Sequence, residues 1–173
     1  MAISISNEVL INLDKAIEAL NTDKVLRVGW VENKQYPEEV DTDTDEITGG
    51  EYIAAVAAQN EYGAPHLHIP ARPFMGPAIA KNRAKWMKNA AVGASLAVEG
   101  KTDILTVLKD IGEVAAGDVR KAIEDVTSPK LSPYTIARRL KKLTKKKVTK
   151  TLTKPLIDTG VMFAAVTSAV EAE

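Results

Sequence analysis

Proline placement limits this chain more than any other feature. Pro65, Pro70, Pro73 and Pro77 punctuate residues 64–77. A ring that fixes φ and lacks an N–H excludes both a regular helix and a central strand there. Pro129, Pro133 and Pro155 make further breaks. The two longest predicted helices lie between Pro77 and Pro129. Pro77 suits the first position of one that reaches about Ala94. After a turn at Glu99-Gly100-Lys101, Thr102 is placed to cap the other, an amphipathic helix with Ile104, Leu108, Ile111, Ala115, Val119, Ile123 and Val126 on one face. At about 24 residues it is roughly 36 Å long.

Ser132-Pro133 joins a cap to a first-turn proline and predicts a shorter helix to about Leu143. Upstream, Val9, Leu10, Leu13, Ile17 and Leu20 recur at helical spacing behind Ser6, and Val25 to Val31 reads as a strand. Residues from Asn33 to Gly50 form a loop, expected to be solvated and mobile. Tyr52 to Asn60 is a helix that Gly63 stops, and Leu156 to Val170 is a mildly apolar tail hinged at Gly160. The resulting class is α+β: a helix-dominated single domain over residues 1–173, with a small antiparallel sheet, one long amphipathic helix and extended loops.

Composition narrows the function. A length of 173 residues suits one domain, and 45% apolar with 27% charged residues excludes a disordered chain. Cysteine is absent, which removes disulfide scaffolds, thiol nucleophiles and thiolate metal sites together. No apolar stretch approaches the roughly 20 residues of a membrane span, and the first 14 residues lack the bases of a secretory signal. A soluble protein with no membrane partner is expected.

Charge is balanced in total, 23 bases against 23 acids, and segregated in sequence. Glu38, Glu39, Asp41, Asp43, Asp45 and Glu46 form an acidic block with no base among them. Arg138, Arg139, Lys141, Lys142, Lys145, Lys146, Lys147, Lys150 and Lys154 form a basic block with no acid. Three roles fit the basic block: a solvated face, pairing with the acidic block of a neighbouring copy, or contact with nucleic-acid phosphates. Aromatic residues are not interleaved with the bases, which disfavours stacking on single strands.

Chemistry-bearing motifs are scarce. His66-Leu67-His68 could supply two metal ligands, but no third lies near. Asp158-Thr159-Gly160 matches the tripeptide of aspartic proteases; one copy per chain would require a dimer of β-sheet proteins, unlike this helical pattern. No nucleophile elbow, phosphate loop or zinc-helix motif occurs. No catalytic, cofactor-binding or metal-binding residue is assigned, and an enzyme is not expected.

Several segments, taken in order, resemble the virion-morphogenesis proteins of long-tailed bacteriophages, the neck and tail-completion proteins. They are Val28-Gly29 followed by the acidic block, the run Tyr52-Ile53-Ala54-Ala55-Val56-Ala57-Ala58-Gln59-Asn60-Glu61-Tyr62-Gly63-Ala64-Pro65, and Ile69-Pro70-Ala71-Arg72-Pro73-Phe74-Met75. Leu131 to Arg138 is similar to that family's L-x-P-x-T-x-x-R segment, and Lys154-Pro155-Leu156-Ile157-Asp158-Thr159-Gly160 to its K-P-L-I-D-T-G signature. Gly76 departs from the Arg usual in the family after the Pro-Phe pair.

The resemblance implies a non-enzymatic virion protein of the head–tail junction, present in the host cytoplasm during assembly. It would form a homo-oligomeric ring around the DNA channel, touching connector, neck or tail-terminator proteins. In this setting Phe74 and Met75 are expected as anchors for a neighbour's pocket and Arg72 as a charged clamp. The other expectation for Phe74 and Met75 is that they plug the domain's own core. Sequence-independent DNA binding through residues 138–154 is the alternative function.

Overall fold

The computed structural model describes residues 7–40, 47–145 and 152–172. It is an α+β fold in which helices dominate. Helix α1 (Asn7–Leu20) leads into strand β1 (Lys24–Gly29). Two short strands, β2 (Glu39–Val40) and β3 (Ile47–Thr48), pair antiparallel. Helix α2 (Ile53–Tyr62), a 3-10 turn at Pro65–Leu67, helix α3 (Met75–Val98) and helix α4 (Ile104–Asp125) follow. Helix α5 (Pro133–Lys145), one turn of helix α6 (Val161–Ala164) and strand β4 (Thr167–Ala172) complete the order.

The centre is the pair α3 and α4. Trp86 of α3 meets Asp118 of α4, and the far end of α3 approaches its successor at Gly93 and Val107, so the two helices run antiparallel. Gly93 permits that approach because any side chain there would strike Val107. Along α4, Val107, Gly112, Ala115, Ala116, Val119 and Ile123 are buried, close to the face that periodicity predicts. Its cap is Asp103 rather than Thr102: the Asp103 carboxylate accepts from the N–H of Thr106 at 3.0 Å.

Strand β4 pairs antiparallel with β1, Val28 opposite Ser168 and Leu26 opposite Val170. The end of the segment read as a mildly apolar tail hinged at Gly160 is thus the partner of the first strand. Gly112 lies against Leu26 and Ser168, which identifies the sheet face that α4 covers. The alternate residues Val25, Arg27, Ala169 and Glu171 stand on the other face, where Arg27 and Glu171 form an exposed ion pair at 3.3 Å.

The described parts of the predicted loop 33–50 hold regular backbone pairing. Besides the β2–β3 ribbon, Gln35 bridges Tyr52. Tyr36 exchanges backbone bonds with Glu51 and Gly50, both at 3.0 Å. Charge repulsion raises the cost of ordering a segment, but it does not prevent pairing of the flanking backbone.

Candidate functional site

Three of the segments that carry the family resemblance, 52–65, 69–75 and 154–160, send side chains into one buried seam through Ile53, Ala57, Phe74, Leu156 and Ile157, whereas 131–138 has no buried residue. Glu61, in the last turn of α2, reaches forward to the start of α3. Its Oε2 accepts from the N–H groups of Phe74 at 2.7 Å and Met75 at 2.9 Å, and its Oε1 from Gly76 at 3.0 Å. These are the orphan donors of a helix start, and a carboxylate there also suits the positive end of the helix dipole. Helix α3 therefore begins at Met75, and Pro77 falls within its first turn, where its missing N–H costs nothing.

Gly63 makes the tight return between α2 and the proline segment. Its φ is +80°, and a Cβ there would come within 2.9 Å of the Ala71 nitrogen. Ala64 and Ile69 bridge across the intervening turn, and Arg72 N–H donates to the Asn60 carbonyl at 2.7 Å. The stretch 60–72 is thereby closed on itself before Phe74 enters the core.

Phe74 is 1% exposed and meets Trp30 edge-on, the ring centroids 5.7 Å apart. Trp30 in turn donates its indole N–H to the Met162 carbonyl at 2.9 Å, beyond the K-P-L-I-D-T-G segment. Ile53, Ala57, Leu156, Ile157, Met162 and Val166 pack in the same cluster.

Two arginines lock the seam from the side. Arg72, 6% exposed, donates Nε–H to the Pro129 carbonyl at 2.8 Å and a terminal N–H to that of Lys130 at 3.3 Å. Arg139, 8% exposed, donates to the carbonyls of Lys154 at 2.8 Å, Ile157 at 3.1 Å and Pro155 at 3.4 Å. Its Nε lies 3.3 Å from Asp158 Oδ1, an ion pair without an aligned hydrogen bond. Burial, then the charge of Arg139, pulls the Arg72 guanidinium below its ordinary pKa. For Arg139 burial acts in the same direction and outweighs the opposing carboxylate of Asp158.

These positions revise the expected interface. Arg72 and Phe74 are not projected at a neighbour: Arg72 clamps the chain's own 129–130 loop, and Phe74 plugs its own core. Met75, half-buried, packs against the same cluster. Arg139 is not part of a solvated basic face, because its fork is spent on backbone carbonyls. Arg138 and Lys141 are exposed, and Lys142 and Lys145 lie on α5. Glu38 is exposed and Glu39 opens β2. Asp41, Asp43, Asp45, Glu46, Lys146, Lys147 and Lys150 lie outside the described residues.

Composition alone hid Glu61 and Trp30, the joints of the seam. One signal was present for Glu61: an acid at a helix end followed by a Pro-rich return to a second helix start.

The weaker motifs are placed as well. His66 and His68 are exposed at the 3-10 turn, and among the described residues no group of three metal-ligating side chains gathers. Asp158 is paired with Arg139, and Gly160, at φ +80°, opens α6. Among the described residues no helix is long and apolar enough to cross a membrane. No family model, curated protein or solved structure matches this chain.

Proposed function

We propose that this chain is a structural virion protein of a long-tailed bacteriophage, placed at the head–tail junction, where copies close a ring that joins the DNA-filled head to the tail. The observation that carries the reading is the ordered resemblance of five segments between residues 28 and 160 to the neck and tail-completion family. The seam supports it: Glu61 bonds segment 52–65 to segment 69–75. Trp30, Arg72 and Arg139, at or beside the others, tie Phe74, the 129–130 loop and the 154–157 carbonyls together.

The role this arrangement suits is geometric. A protomer whose loops are clamped by its own core loses little conformational freedom when it docks. Binding free energy then goes into holding neighbours in register. Docking surfaces on this reading lie outside the seam, near Glu38 and on the exposed flank of α3 at Met87 and Val92. The partners are other copies, then connector or tail-terminator proteins. Infection with a phage lacking the chain tests the reading. Filled heads and separate tails are expected, and normally joined particles contradict it.

A further inference from the structure

The resemblance does not assign a role to the outer face of α5. Arg138, Lys141, Lys142 and Lys145 stand at i, i+3, i+4 and i+7, so they form one stripe along the helix. The stripe spans about 10 Å at 1.5 Å per residue. Residues 133–154 contain no acid at all. Arg139, about 100° further round the helix, is buried and ties α5 to the 154–158 turn. That tie fixes which side of α5 faces outward, and Arg138 and Lys141 are exposed there.

We propose that this stripe is a contact surface for the phosphate backbone of duplex nucleic acid, without sequence preference. Two occupants have the required negative charge: a nucleic acid, and the acidic block of a second copy. Residues 41–46 read Asp-Thr-Asp-Thr-Asp-Glu and offer no apolar side chain. A protein interface built on them would lack a desolvated apolar centre and rest on exposed ion pairs, each worth about 0–1 kcal/mol. A nucleic-acid contact needs no such centre, since release of condensed counterions drives it. Tyr134 is the sole aromatic residue between 133 and 154, so the ladder of stacking platforms that holds single strands is missing. Duplex backbone is the better match.

The test is on the purified chain, and so is independent of the junction reading. Fluorescence anisotropy with a labelled duplex of random sequence is measured between about 50 and about 200 mM salt. The native chain is expected to bind at the low end, with affinity falling steeply as salt rises. The variant carrying Arg138→Gln, Lys141→Gln, Lys142→Gln and Lys145→Gln should lose affinity by at least about 100-fold and show a salt slope shallower by about 3 to 4. Its thermal unfolding should match the native chain's, which separates lost contact from lost fold. No binding by the native chain at low salt, or an unchanged slope in the variant, overturns the proposal. It is also overturned if self-association, followed by sedimentation, is abolished equally by the stripe variant and by a variant with Asp41→Asn, Asp43→Asn, Asp45→Asn and Glu46→Gln. That result assigns the stripe to a second copy.

Discussion

Arg138 and Arg139 are neighbours in sequence with opposite placements. The first is exposed on α5, and the second sinks its guanidinium among the carbonyls of Lys154, Pro155 and Ile157. Only a planar fork with several N–H groups can serve acceptors arranged in this way, and a lysine ammonium is a point donor. Arg139→Lys is therefore expected to destabilise the protein by about 2 kcal/mol or more, because buried carbonyls lose their partners. Arg138→Lys should stay within about 0.5 kcal/mol of the native chain. Thermal unfolding of the two variants checks this, and equal midpoints would remove the lock from the account. Part of the contrast could be read beforehand, since Ile136, Arg139, Leu140 and Leu143 recur at helical spacing and put position 139 on the apolar side. The carbonyls it meets could not. Backbone acceptors carry no side-chain signature, and the turn supplying them lies beyond a further block of lysines.

Among the elements, helices with strong periodicity and proline punctuation were legible: α2 stops at Gly63, and Ser132 caps α5 by accepting from Thr135 N–H at 3.1 Å. Strand β4 was not. Its residues Thr-Ser-Ala-Val-Glu-Ala have little β preference, and its partner β1 lies at the other end of the chain. Pairing across such a separation is a tertiary event that overrides local propensity. Packing of α4 on this sheet explains why Gly112 interrupts a good helix pattern. A Cβ at that position would lie 2.7 Å from both Leu26 Cδ1 and Ser168 Cβ, whereas Gly117 on the same helix has nothing within 4 Å. Gly112→Ala is expected to cost about 1–3 kcal/mol through overpacking, despite the better helix propensity of alanine. Gly117→Ala should instead stabilise by up to about 1 kcal/mol. Chemical denaturation of the pair checks the contrast, and equal effects at both sites would contradict the close approach of helix to sheet.

For the molecule as a whole, Tyr36 brings the segment before the β2–β3 ribbon onto the core cluster that contains Leu156 and Ile157. Burial, and after it the carboxylates of Asp158 and Glu51, pushes its phenol up to about 12 from an ordinary value of 10.0. The folded state thus favours the neutral phenol. Its contribution to stability is complete below pH 10, the unfolded value, and is lost as pH rises towards 12. Tyr36→Phe, which cannot ionise, should show a shallower fall in stability across that window. A native chain and variant with parallel alkaline profiles would contradict the burial of Tyr36.

A self-clamped seam suits the proposed junction role, in which joining is where shape is tested. The direct measurement is an electron-microscopic count of joined and unjoined particles in lysates of a phage lacking the chain, with and without the native protein supplied separately. The account predicts unjoined heads and tails in its absence and joined virions on its return. Equal proportions of joined particles in both lysates would contradict it.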